Sequence, residues 1–448
     1  MTYRFHHRPF RCLWPVAVGL ALAGASGAVG QPPSDYTRYL QLFELSEAED
    51  RVQDDAPLTP AERAVIERCA ECVARIPATQ LAAWRTEMDD PFADDPGRFK
   101  LFAVRGRLRQ LDTTERTGQL RYEVQVQLTS TQSATVYLQR VPRSWQQLVD
   151  TEHNWDERVA ISAIYFKRDE DQAPLFIGNG LEWYPDRAQP TPWVAEDHVL
   201  LAQYGLDIGE LQDVQPVGPL SAEDAAPFYA TLAVTTRVPA PDWNAAATPT
   251  NVVDLLQDLP SHRGKFYRLQ GTARRILKIV IDDPTDRKRA GLDHYYELEL
   301  FVEPRALVRV RGTKDNDSRV FATYPIVYCC TALPPDCPQG EDVHVPLEVS
   351  GVYFKSWQYA TPFMQGLQLE RGEARQTSPL LIGPSPRQLA PPAKIGNLGL
   401  PLAVIFAIAL VAVTLYIVRS GAQDRAVSRQ RRARSERPPQ NPSQREAQ

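Results

Sequence analysis

The chain has 448 residues and a formal net charge of −5. Residues 1–30 carry +3 and residues 419–448 carry +5, which leaves −13 on residues 31–418. So acidic a segment repels phosphate backbones, which argues against nucleic-acid binding there. It is also too long for one ordinary core and points to two domains.

Residues 1–30 have the pattern of a signal peptide. Arg4, Arg8 and Arg11 with His6 and His7 form a basic start, Leu13 to Ala23 is apolar, and small residues run from Gly24 to Gly30. The apolar run is short for a bilayer, which favours a cleaved signal over an uncleaved anchor. Cys12 precedes that run and does not sit at a cleavage site. Residues 31–97 are expected to be helical. Thr59-Pro60-Ala61-Glu62 is a helix start in which Thr caps, Pro occupies the first turn and Glu reaches back. That helix should run to about Arg75, before Pro77, with a second from Thr79 to Met88.

Two segments, 98–186 and 262–384, read as β-rich copies of one another. Ser162-Ala163-Ile164-Tyr165-Phe166-Lys167 parallels Ser350-Gly351-Val352-Tyr353-Phe354-Lys355. Phe102–Gly106 parallels Tyr267–Gly271, Tyr122–Val126 parallels Tyr296–Leu300, and Pro174–Gly178 parallels Pro379–Gly383. In chain order the offsets are 165, 174, 188 and 205, which only increase, as longer loops in the second copy would require. Each segment reads as a strand, and Tyr122–Leu128 and Tyr296–Val302 alternate apolar and polar residues with the period of a half-buried strand. Gly106 and Gly271 inside the first strand of each copy suggest a bulge or sharp bend. Lys167 and Lys355 are expected to end a strand with their charge in water, and the Tyr-Phe pairs before them to be core.

The first copy orders strands 102–110, 121–129 and 134–140, a short helix near Trp145 to Val149, then strands 158–167 and 174–183. Five strands with a helix after the third resemble the OB-fold, a small Greek-key barrel. The resemblance is of fold alone. It implies a mainly β chain with flanking helices (α+β), with two duplicated OB-like modules in tandem. In the second copy Thr331 to Asp342 replaces the helix with a loop containing Pro and Cys, and an SH3-like barrel or β-sandwich remains an alternative. The linker 187–261 should hold helices at Glu196–Tyr204, Ala222–Thr235 and Val252–Asp258, the last capped by Asn251. Pro239 to Pro249, rich in Ala and Pro, reads as a flexible link.

Residues 385–397 read as a Pro-rich stalk. Residues 398–418 are 21 residues without a charge, enough for one transmembrane helix. Residues 419–448 hold eight Arg against three acids, the mark of a cytoplasmic flank. The expected topology is a single pass, with the ectodomain outside the cytoplasm and the C-terminus inside.

Little in the chain points to chemistry. Cys69 and Cys72 form a C-x-x-C on the long helix, without the strand-to-helix context of a redox motif or the His of haem attachment. They read as buried thiols or a disulfide, as do Cys330 and Cys337; Cys329 is the fifth cysteine of the mature chain. Zinc on Cys330, Cys337 and His344 would fit no standard spacing. The histidines are scattered, and there is no nucleophile elbow, phosphate loop or dinucleotide fingerprint. The expectation is therefore a non-catalytic binding or scaffold protein with no catalytic, metal or cofactor residues. Its partners would be the membrane, through residues 398–418, and a protein or envelope polymer. The alternative is a thiol-redox or other enzyme with its site near Cys69 and Cys72.

Overall fold

The computed structural model describes residues 35–87, 97–114, 120–305, 308–310, 319–361, 375–390 and 404–416. The chain divides into two compact units, 1–183 and 184–448. The expected signal (1–30), the tail (419–448) and parts of the stalk and transmembrane run lie outside the described residues.

Unit 1 begins with α1 (Asp35–Leu42), α2 (Pro60–Arg75) and α3 (Ala78–Trp84). The capping box at the head of α2 is reciprocal. Thr59 Oγ1 accepts the Glu62 N–H at 3.2 Å, and Glu62 Oε2 accepts the Thr59 N–H at 2.8 Å. Val65, Ile66, Cys69, Cys72 and Val73 form the buried face of α2. Burying each such side chain is worth roughly 1.5–3 kcal/mol, so this face outweighs the few tenths per residue that helix propensity supplies.

That face covers a closed five-stranded barrel. Its strands are β1 (Leu101–Thr113), β2 (Tyr122–Gln127), β3 (Ser133–Leu138), β4 (Glu157–Arg168) and β5 (Pro174–Trp183). They pair in the order β1-β2-β3-β5-β4, and β4 returns to β1. Only the β3–β5 pair is parallel. Between β3 and β4 lies α4 (Arg143–Gln146), whose buried Trp145 packs on Trp155 and Trp183 at centroid distances of 4.9 and 5.1 Å. The bulge in β1 falls at Arg109, not at Gly106. Gly106 instead admits β2: a Cβ there would strike the Gln127 carbonyl oxygen and the Val126 side chain.

Unit 2 opens with α5 (Glu196–Gln203), α6 (Ile208–Asp213), α7 (Ala222–Thr235) and α8 (Ala240–Ala246). The expected flexible link from Pro239 to Pro249 is thus largely α8. Trp243 is 1% exposed, packs on Phe266 and donates its indole N–H to the Ser350 carbonyl at 2.9 Å. An aromatic anchor with its polar atom satisfied helps to order this Ala-Pro segment, and the prolines at the helix start cost no hydrogen bond. The expected helix at 252–258 is a short 3-10 turn, Asp254–Leu256.

The second sheet contains β6 (Phe266–Val280), β7 (His294–Val302), β8 (Tyr324–Cys330), β9 (Val345–Ala360) and β10 (Arg375–Gly383). Its order is β6-β7-β8-β10-β9, with β9 returning to β6 and β8–β10 the parallel pair within the ring. Its core includes Leu298, Leu300, Ile326, Tyr328, Leu347 and Leu381. The bulge of β6 lies at Arg274, and Gly271 lies against the Phe301 carbonyl. The described residues are therefore mainly β with flanking helices.

Residues 404–416 form a helix on which Ile405, Phe406, Ile408 and Leu415 are each more than 60% exposed. No helix among the described residues is long and apolar enough to cross a membrane.

Candidate functional site

The most heavily desolvated charges lie where a helix start meets a barrel. Lys167 Nζ donates to Glu62 Oε1 at 2.9 Å, and both side chains are 0% exposed. Glu62 Oε1 also accepts the Gln53 N–H at 3.0 Å, while Oε2 accepts the Thr59 N–H and hydroxyl at 2.8 and 2.9 Å. Burial pushes the Glu62 carboxyl up, but the hydrogen bonds from Thr59, Lys167 and Gln53 prevail and hold it below its ordinary 4.5. In unit 2, Lys355 Nζ donates to Asp224 Oδ2 at 2.9 Å and to the Pro219 carbonyl at 3.2 Å. Asp224 also accepts the Ser221 N–H at 2.8 Å and the Ser221 hydroxyl at 3.1 Å. Each carboxylate is the third residue of its helix, within a capping box.

This corrects the expectation that both lysines end in water. A one-residue bulge, at Phe166 in β4 and at Phe354 in β9, breaks the alternation just before each lysine. The lysine then lies on the covered side of the strand, where the helix supplies its counter-charge. The Tyr-Phe pairs are core: Tyr165, Phe166, Tyr353 and Phe354 are all at most 4% exposed. Both ion pairs are buried, the first completely and the second to within 5% of side-chain exposure, so neither is open to a dissolved substrate in this conformation.

The five cysteines among the described residues are unbridged. Cys69 and Cys72 are both 0% exposed within the core beneath α2. Burial pushes Cys69 well up and Cys72 up to about 12, so neither forms a thiolate near neutral pH. Cys329 and Cys330 are buried at the end of β8, and Cys337 is half-buried in the following loop. His344 is largely exposed, and no cluster of three or more metal-ligating side chains occurs among the described residues.

His198, passed over in the sequence as one of several scattered histidines, is a buried cap at the start of α5. Its Nδ1 accepts the Ala195 N–H at 3.0 Å and its Nε2 donates to the Arg263 carbonyl at 2.9 Å, which fixes the tautomer. Burial is the largest influence and pushes this imidazole down to about 4. The outer surface of barrel 1 carries a different feature. Arg107 and Arg158 are cross-strand neighbours on β1 and β4, and Arg105 lies two residues along β1. Asp156 lies 3.2 Å from Arg107 and 2.5 Å from Arg109. Arginines thus gather on one face of an otherwise acidic segment.

No family model matches the chain, and no curated protein matches it. Among solved structures, it aligns with a protein assigned as an aspartyl-tRNA synthetase from Leishmania major Friedlin, at 10% identity and a TM-score of 0.18. That alignment covers 59% of this chain and 53% of that one, so the chain spans about half the length of that protein. A structure described as the molecular basis for abrogation of activation of pro-inflammatory cytokines aligns at 11% identity and a TM-score of 0.12, covering 67% of this chain and 100% of the other. At such scores neither alignment carries an argument about fold or function.

Proposed function

We propose that the chain is an exported, single-pass membrane protein whose two copies of one helix-plus-barrel module form a non-catalytic binding scaffold. The observation that supports this reading best is a shared register. The four sequence offsets carry the pairs of barrel 1 onto those of barrel 2. Phe102–Ala163 becomes Tyr267–Gly351, Leu108–Val126 becomes Ala273–Leu300, and Tyr165–Phe176 becomes Tyr353–Leu381. The same offsets carry the bulge at Arg109 to Arg274 and that at Phe166 to Phe354. They also carry Phe99 to Gly264, two residues of positive φ whose N–H groups donate to the carbonyls of Tyr165 and Tyr353. A one-residue slip would turn every side chain to the other face, so agreement across these pairs favours one duplicated module. The paired buried lysines and helix carboxylates extend the module to include its helix.

The anchor is residues 398–418, oriented by the arginines of 419–448. The buried charges and thiols are taken up inside the units, which leaves the outer faces for a protein or envelope-polymer partner. The arginine face of barrel 1 is the surface to test first. The full chain in detergent should retain a partner from the envelope fraction. An excess of untagged chain should compete it off, and R105Q/R158Q should weaken it several-fold. Undiminished retention by that variant sinks the assignment of this face. Catalysed thiol–disulfide turnover by the same preparation, lost in C69A/C72A, would instead establish the enzyme alternative.

A further inference from the structure

The two barrels differ in the connection from third to fourth strand. In unit 1 it carries α4, fastened by Trp145. In unit 2, residues 331–344 contain no helix. The segment is tied to β6 by backbone bonds: Gly340 and Ile276 exchange N–H···O bonds of 2.9 and 3.0 Å, and the Val343 N–H donates to the Arg274 carbonyl at 2.9 Å. Before those ties the chain turns through Pro334 and Cys337, with the Cys337 N–H on the Pro334 carbonyl at 3.2 Å.

Cys330 ends β8 and is 0% exposed inside the barrel core, and Cys337 packs against that same core. Cys330 pairs with Gly383 as Leu138 pairs with Gly178 in barrel 1. Leu138 is equally buried, so barrel 2 places a smaller side chain, with a thiol, where barrel 1 places a leucine. Cys329 belongs to the opposite face of the strand, near Tyr229 and Tyr295. Burial pushes the Cys330 thiol up, an Ala332 backbone hydrogen bond opposes this, and nearby Cys337 raises it further.

We propose that Cys330 and Cys337 are a disulfide pair whose closure fastens the loop that in barrel 2 stands in place of α4. Six intervening residues allow the Cα separation that a disulfide requires, roughly 4.4–6.8 Å. The half-buried Cys337 reacts first. Its thiolate attacks one sulfur of oxidised glutathione, forming a mixed disulfide and releasing one glutathione thiolate. Cys330 then attacks the Cys337 sulfur and expels the second glutathione, and the protons of both cysteines pass to solvent. Closure in the cell rests on the export reading, because an exported domain meets an oxidising compartment; the geometry does not rest on it.

The test uses the full chain in detergent with a glutathione pair poised oxidising, followed by alkylation and non-reducing digestion with a protease that cuts before Asp336. The fragment with Cys329 and Cys330 should remain joined to that with Cys337 until reduced, in the wild type and in C329A, but not in C330A. Closure should also raise the melting temperature of unit 2 by about 5 °C, from the loss of unfolded-state freedom in a short loop. Free thiols at both positions, or a glutathione adduct on Cys337 alone, overturns the pair. The state of the chain as isolated from cells is a separate readout. If isolated chain is reduced yet joins readily in glutathione, the pair stands and the export reading fails.

Discussion

At the scale of single residues, the informative groups are the two lysines that alternation places in water and the structure buries. A buried ion pair is weak evidence of stabilisation by itself, since desolvation offsets much of the attraction, but removing one partner leaves an uncompensated charge. Lys167→Met should therefore destabilise unit 1 by roughly 3–5 kcal/mol, and Glu62→Gln on top of it should restore a substantial part, because Gln still accepts the Thr59 N–H. Calorimetric melts of the two single variants and the double variant measure the coupling; strictly additive losses would mean the pair does not act as one. The pH dependence has a definite sign. Glu62 is held below its ordinary 4.5, so its contribution is complete above that pH and is lost as pH falls through the lower folded value. The acid limb of the wild-type stability curve should accordingly be steeper than that of Glu62→Gln.

At the scale of elements, β2 was legible because Tyr122, Val124 and Val126 alternate with Glu123 and Gln125 on a half-covered sheet. The α2 start was legible because Thr59 and Glu62 have the spacing of a capping box. The partner of that glutamate was not, since a bulge at Phe166 leaves no mark in composition and a contact across 105 residues leaves none in local pattern. The α8 segment escaped for a related reason: its order comes from tertiary anchors, Trp243 chief among the buried ones, and not from propensity. Glycine was read at the right positions for a different reason from the one found. At Gly106 and Gly271 a Cβ would meet a carbonyl oxygen of the neighbouring strand. Replacing either with Ala should cost roughly 1–3 kcal/mol by overpacking, because backbone cannot yield as a flexible side chain does. Gly291 has φ +66° and open space around it, so Gly291→Ala should cost only about 1 kcal/mol. Chemical denaturation of the three variants checks the order, and an equal or larger loss at Gly291 would refute the close-approach argument.

At the scale of the whole molecule, the proposed anchor would decide where the two units work. The described part of the apolar run, 404–416, spans about 20 Å as a helix, short of the ~30 Å of hydrocarbon; a helix as long as the 21-residue uncharged run 398–418 would reach it. The exposure of Ile405, Phe406, Ile408 and Leu415 on that helix is costly in water and is relieved if lipid surrounds it. Eight arginines follow within thirty residues, and such a flank is retained on the cytoplasmic side. The expected topology therefore has the two units outside and the C-terminus inside. Protease added to sealed right-side-out membrane vesicles should digest the barrels and leave a C-terminal tag protected until detergent opens the membrane. High salt should not release the chain, since an apolar span outlasts the screening of surface charge. Digestion of the tag from outside would reverse the orientation, whereas extraction of the intact chain by salt alone would mean that the apolar run does not span the bilayer.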